Sequence, residues 1–430
     1  MDAQQLGAAS TANAADLPLS LCRLLDPDVL ADPYPLYRAL RERDPVYWDP
    51  YLHAWVVTSY AEVVAVLHRF SAECAPTPQQ FIQMGLASLE PIARVLVKQM
   101  LFMDGTAHAR LRRLCSTAFT SNRVAALRSH IQDIADRLLG DVAAQGSMDV
   151  IGDFASPLPA IVMAELLGLP TSDHGQLKAW SADFAEVLGN FQQNPDRAGL
   201  VLKSLHEMTD YFRAAIAEQE RRPGDGLIQA LVHAEVEGAR LTEEEVIANV
   251  IITMVGGQET TTNLIGNGLV TLVRNPDQLA LLREQPAIIN TAVEELLRYE
   301  TPSQRTARIV REDTELAGKR MRKGDTVFAV MAAGNRDPAQ FPDPDRVDLT
   351  RAENRHLAFG WASHFCFGAP LARMEGQIAF STLLRGLKDL VLEPRPLAWR
   401  ENLGLRGLKA LPVRFRAAPA GARRPSERRT

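Results

Sequence analysis

The side chain with the most distinctive chemistry is Cys366, in the stretch Phe359-Gly360-Trp361-Ala362-Ser363-His364-Phe365-Cys366-Phe367-Gly368-Ala369-Pro370-Leu371-Ala372-Arg373. Gly360 and Gly368 allow the backbone to turn with positive φ and to lie close to a flat ligand, and Pro370 suits a first helical turn. Leu371, Met374 and Ile378 follow at steps of three and four, as one buried helix face does. Cys366 is therefore expected near a helix N-terminus, where the dipole and free N–H groups favour thiolate over thiol. A lone cysteine is most often a structural residue in a capping loop. Zinc fits poorly, because His364 and Cys366 alone offer two ligands where a structural site takes four. A cysteine nucleophile paired with histidine is poorly served by Phe365 and Phe367 on either side. One thiolate among aromatic side chains suits a haem iron with cysteine as its single protein ligand.

A second stretch able to do chemistry lies within a helix. Thr242-Glu243-Glu244-Glu245 has the capping-box pattern, and Val246, Val250 and Met254 with Ile247, Ile251 and Val255 make the adjoining segment apolar over much of its circumference. The middle turns to Gly256-Gly257-Gln258-Glu259-Thr260-Thr261-Thr262, and the apolar pattern resumes at Leu264, Ile265, Leu269 and Val270, so the helix is expected to continue. Each mid-helix glycine costs about 1 kcal/mol relative to alanine. The functional reason for two together is room: Gly256 and Gly257 would open a groove for a diatomic molecule. Thr260 can bond back to the carbonyl of residue 256, bending the helix and freeing backbone groups for water. Glu259, a carboxylate in apolar surroundings, is expected to have a raised pKa, and with Thr260 it could pass protons inward. The plainer reading is a threonine that only kinks a buried helix. His108 and Arg112 lie four apart on another predicted helix; two cations on one face make sense around an anion, although a solvated basic face is the simpler account.

The cysteine loop resembles the haem-binding loop of cytochrome P450 monooxygenases, Phe-Gly-x-Gly-x-His-x-Cys-x-Gly, with Ala362 where the second glycine is usual. The helix centre resembles the same family's motif of small residue, Gly, x, Glu or Asp, Thr, with Gly256 where alanine is commoner. The resemblance covers roughly residues 30 to 416 and implies the P450 fold, mainly helical with a small β-rich lobe. It implies haem b between the helix bearing Thr260 and the loop bearing Cys366, with Cys366 as axial ligand and Phe359, Gly360, Gly368, Gly256 and Gly257 around the macrocycle. His108, Arg112, Arg308 and His364 would meet the two propionates. Thr260 would hydrogen-bond dioxygen and help protonate it, with Glu259 in the relay from solvent. Glu295 and Arg298 match the family's Glu-x-x-Arg motif, joined by a meander arginine expected at Arg346; as an exposed pair they would contribute under about 1 kcal/mol.

The implied reaction inserts one atom of dioxygen into a C–H bond or a double bond of a moderately sized apolar molecule, such as a polyketide, terpenoid, steroid or fatty acid. A ferredoxin- or flavodoxin-type partner with its reductase would supply the electrons. Phe81, Met84, Leu86, Phe184 and Val255 are the expected substrate contacts. Two rivals are a haem-thiolate enzyme using peroxide directly, which would not need the Glu259–Thr260 pair, and a non-catalytic helper, which would not need Cys366.

Positioning these residues takes a large helical frame. The 430 residues are 46% hydrophobic and 23% charged with a formal net charge of −5, an ordinary globular composition with no sign of a nucleic-acid partner. Cysteines at 22, 74, 115 and 366 form no disulfide framework, which favours a reducing, cytoplasmic setting. No signal peptide or membrane span is read, and a monomer is expected. Residues 1–16 are expected to form a flexible N-terminus, 17–416 one domain, and 417–430 a disordered, arginine-bearing tail. Tyr34 to Arg43 is predicted helical, and Val46–Trp48 with Ala54–Thr58 should form a hairpin. Ser71 to Met103 shows no steady period; it reads equally as a long apolar loop or as a pair of helices, and the P450 resemblance favours a lid over the substrate. Helices at about 172–190 and 196–221 should flank Gln192-Gln193-Asn194-Pro195.

Overall fold

The structure, a computed structural model, describes residues 19–417 apart from 119, 190–194 and 237. Glu243–Arg274 is one helix running unbroken through the Gly256–Gly257 pair. It starts on the expected capping box: Glu245 N–H donates to Thr242 Oγ1 at 3.2 Å, and Thr242 N–H donates to Glu245 Oε2 at 2.9 Å. Three glutamates in its first turn and Arg274 in its last complement the helix dipole. Most of its side chains from Val246 to Leu272 are buried, so packing rather than propensity stabilises it. Around this core helix pack Pro157–Leu167, His174–Gly189, Ile289–Tyr299 and Ala369–Gly386.

The β-rich lobe is a four-stranded sheet in the order Val46–Asp49, Ala54–Val57, Thr326–Ala329, Thr306–Ile309. The first two strands form the expected hairpin, with Trp48 opposite Trp55. Ala54–Val57 pairs in parallel with Thr326–Ala329, which pairs antiparallel with Thr306–Ile309, so Val327 lies opposite both Trp55 and Arg308. Arg308 thus stands on an edge strand, where a bridge between Ile309 and Ser71 draws in the segment before Asp104. A second sheet joins Leu387–Leu392, Pro412–Ala417 and Ser147–Asp149.

Ser71 to Met103 is not an irregular loop. Pro78–Gln83 and Glu90–Leu96 are helices, the first closed by a Thr77/Gln80 capping box and carrying proline in its first turn. At six and seven residues they are too short to show a clear hydrophobic period. The N-terminal stretch 1–16, residues 192–194 and the tail beyond 417 lie outside the described residues; Ala417 itself ends a strand. Among the described residues no helix is long and apolar enough to cross a membrane.

Candidate functional site

Two left-handed residues fold the cysteine loop back on itself, Gly360 at φ +72° and Ala362 at φ +56°. Cys366 N–H then donates to Phe359 O at 2.8 Å. A left-handed backbone costs a non-glycine residue about 1–2 kcal/mol, so Ala362 is strained where glycine would not be. Gly368 departs from expectation: its φ is −85°, and it caps the helix Ala369–Gly386, whose first turn holds Pro370. No atom lies within 4 Å of where its Cβ would stand, so its use is a bare surface rather than an unusual turn. Burial pushes the Cys366 thiol up, against the lowering influence of the Gly368 and Ala369 N–H groups and of Arg112 and Arg373. The helix terminus alone therefore does not make the expected thiolate. A coordinated metal would, because it deprotonates a thiol outright.

Beside this loop the His108 and His364 rings stack with centroids 4.2 Å apart. His364 Nε2–H donates to Asp104 Oδ1 at 3.3 Å, and Asp104 also accepts from Ser71 Oγ at 2.6 Å, from Ala72 N–H at 2.8 Å and from Arg311 at 2.7 Å. Burial, then His108 and Arg308, push His364 down to about 4, and burial with Arg112 lowers His108. Both rings are thus neutral near pH 7, which relieves the repulsion expected between His108 and Arg112. Arg112 donates to Phe365 O at 2.8 Å and lies over the Phe367 ring at 5.4 Å, tying its helix to the cysteine loop. Arg308 Nη1 donates to Thr306 Oγ1 at 2.9 Å and to Ala307 O at 2.8 Å.

The nitrogens His108 Nε2 and Arg308 Nε are buried with no hydrogen-bond partner. Orphaned polar atoms of this kind call for a ligand or water. Among the described residues no three His, Cys, Asp or Glu side chains gather as a metal site. A donor set of one sulfur plus a nearby group of arginine and histidine nitrogens fits an iron held in a ring bearing two carboxylates. The chain matches the family described as Cytochrome P450 over residues 80–395. It belongs to the cytochrome P450 family.

The P450 is 37% identical to the biotin biosynthesis cytochrome P450 of Bacillus subtilis (strain 168), over 90% of this chain and 97% of that one. It is 35% identical to the 6-deoxyerythronolide B hydroxylase of Saccharopolyspora erythraea, over 89% and 96%. Its fold overlays the crystal structure of P450BioI in complex with hexadec-9Z-enoic acid ligated acyl carrier protein with a TM-score of 0.85, at 36% identity, over 90% and 99% of the chains. Membership makes this P450 an oxidoreductase and implies haem b held through a cysteine thiolate.

On the core helix, Thr260 Oγ1 donates to Gly256 O at 2.6 Å, the back-bond its position suggested. The two glycines, however, do different things. Nothing lies within 4 Å of a Cβ built on Gly256, whereas one on Gly257 would stand 2.5 Å from Met163 Sδ. Only Gly256 provides room; Gly257 lets the helix Pro157–Leu167 approach. Glu259 is buried, which raises its pKa, and Arg400 Nη1 donates to its Oε2 at 2.6 Å. Arg400 was missed in the sequence, since it lies 141 positions away in irregular chain and no local pattern links the two.

Glu295 and Arg298 are fully buried rather than exposed, joined by two hydrogen bonds of 2.8 Å. Arg298 also donates to the carbonyls of Asn335, Pro344 and Arg346 at 2.9, 2.8 and 3.2 Å. The arginine that joins them is Arg351, whose Nε meets Glu295 Oε2 at 3.2 Å, and not the expected Arg346. Arg346 closes a tight turn onto Asp343 O, so its side chain faces solvent and only its carbonyl reaches the triad. Of the expected substrate contacts, Phe81, Phe184 and Val255 lie in the main core. Met84 and Leu86 are instead exposed, because left-handed Gly85 turns the chain outward after the helix Pro78–Gln83.

Proposed function

We propose that this P450 is a monooxygenase that inserts one atom of dioxygen into a C–H bond or double bond of an apolar natural-product or fatty-acyl molecule. The observation that carries the reading is the hydroxyl of Thr260 held on the Gly256 carbonyl, next to the buried carboxyl of Glu259. Haem bound through Cys366 would supply dioxygen activation, the thiolate donating the electron density that favours O–O cleavage. His108, Arg112, Arg308 and His364 would hold its carboxylates. Gly256 leaves space beside the helix for a small molecule, and Thr260 Oγ1, its own proton donated to Gly256 O, can accept from a water or proton donor held there. Glu259, its pKa raised by burial, can take up and release a proton nearer to neutral pH than an exposed glutamate could. The substrate class is supported by the relatives, one named for biotin biosynthesis, one for a macrolide precursor, and one solved with a fatty acyl chain on its carrier protein. Electrons would come from a ferredoxin or flavodoxin with its reductase, in a cytoplasmic setting.

The reduced protein treated with carbon monoxide should show the long-wavelength band of thiolate-ligated haem; its absence discards the reading. Turnover driven by a redox partner should exceed turnover driven by peroxide. Thr260→Ala should release peroxide in place of product, and unchanged product per electron would remove Thr260 and Glu259 from the relay.

A further inference from the structure

Two adjacent glutamates on the helix Ile289–Tyr299 face different partners. Glu295 turns inward to Arg298 and Arg351, whereas Glu294 reaches the cysteine loop and the helix that follows it. Arg373 grips Glu294 with both arms of its guanidinium: Nε donates to Oε1 at 2.7 Å and Nη2 to Oε2 at 2.8 Å. His356 completes the cluster. Its Nδ1 accepts from Ala358 N–H at 3.2 Å, which leaves the ring proton on Nε2 to be donated to Glu294 Oε2 at 3.1 Å. Burial acts to raise the Glu294 pKa, yet the hydrogen bonds from Arg373 and His356 hold it down at about 2, so the carboxylate is ionised throughout the neutral range.

The cluster leads to Cys366. The Arg373 guanidinium lies over the Phe359 ring, 4.5 Å from its centroid, and Phe359 O accepts from Cys366 N–H at 2.8 Å. Against the effect of burial, Arg112 and Arg373 are the two arginines whose charge favours the Cys366 thiolate. A two-point carboxylate fork fixes where such a guanidinium sits, as a single contact would not. Among the described residues no other carboxylate pairs with Arg373.

We propose that Glu294 is a positioning residue that keeps the reduction potential of the haem low, by cancelling the charge of Arg373 beside the cysteine ligand. The inference rests on Cys366 as that ligand, which the carbon monoxide band of the parent tests separately. Reduction adds one electron, from the redox partner, and makes or breaks no bond at these residues. An uncancelled cation nearby favours the added negative charge, and an uncancelled anion opposes it. A unit charge acting over about 10 Å at an effective dielectric near 20 changes such an equilibrium roughly tenfold. The Glu294 side chain is 26% exposed, so solvent and salt reduce this to about threefold or more.

Spectroelectrochemical titration of the haem-loaded, substrate-free protein tests this without turnover. Glu294→Gln keeps an acceptor for Arg373 and removes the charge. It should favour the reduced form at least about threefold, a rise of about 30 mV at about 59 mV per tenfold. Arg373→Gln should shift the equilibrium by a similar factor in the opposite direction, and the double variant should return close to the parent. Glu294→Asp, which retains the charge, should also stay near the parent. An unchanged potential in Glu294→Gln overturns the proposal, as do two single variants that move the same way, which is what a merely loosened loop would give. A shift in Glu294→Asp as large as that in Glu294→Gln overturns it as well. If Glu294→Gln takes up no haem, Arg373→Gln decides alone, and a potential equal to or above the parent's refutes the role.

Discussion

Replacing Ala362 by glycine should make this protein more stable, although it deletes a methyl group. Ala362 adopts φ +56° in the loop that presents Cys366. Holding an L-residue there costs about 1–2 kcal/mol. Glycine removes that cost but enlarges the conformational freedom of the unfolded chain, which takes back about 0.4–1 kcal/mol. The residual gain is on the order of 0.5–1 kcal/mol, small for a chain of this length and within reach of equilibrium urea unfolding on the haem-loaded protein. The midpoint should rise with the slope unchanged. Haem transfer to an excess of an acceptor globin should slow in parallel, because the strain sits in the ligand loop itself. A variant equal to or weaker than the parent in both assays would refute the claim that this turn stores strain.

Arg351→Ala should lower stability by about 3 kcal/mol and impair haem incorporation, since it strips a partner from the buried Glu295, whereas Arg346→Ala should stay within about 0.5 kcal/mol of the parent by thermal unfolding. Gly256→Ala should raise stability by about 1 kcal/mol, the helix-propensity gain with open space around the new methyl, whereas Gly257→Ala should lose that gain and more by driving its methyl into Met163, so the two variants separate in thermal unfolding. Burial raises Glu375 from 4.5 to about 8. The folded chain therefore keeps a proton that the unfolded chain has released, and stability should fall as pH rises from about 4.5 through about 8 and level off above that. Glu375→Gln should flatten that slope in unfolding measured across the window; an unchanged slope would place the proton elsewhere.

Features set by near neighbours in the chain are legible in the sequence. The capping box at Thr242, the helix carried through two glycines, the Thr260 back-bond and the hairpin at 46–57 all depend on residues a few positions apart, and each is present in the structure. What the sequence hid was long-range pairing and the direction in which side chains point. Arg351 and Arg346 are both arginines of the same meander, and only the turn at Asp343 decides which one faces Glu295. Arg400 reaches Glu259 from irregular chain with no periodicity to betray it. Gly256 and Gly257 are identical in text, yet one faces open space and the other a methionine, a distinction set by the neighbouring helix. The helices within 71–103 were obscured for a different reason: they are shorter than two turns, so no stripe can form.

Asp104 gathers hydrogen bonds from Ser71, Ala72, Arg311 and His364, contributions from parts of the chain translated at widely different times. A newly made polypeptide cannot complete this junction until the cysteine loop has emerged, late in synthesis. Before the cofactor arrives, His108 Nε2 and Arg308 Nε stay buried beside the stacked histidines without a hydrogen-bond partner. Protease nicks in cofactor-free material should therefore concentrate near residues 71–112 and 359–366, and supplying haem during expression should decide how much intact protein survives.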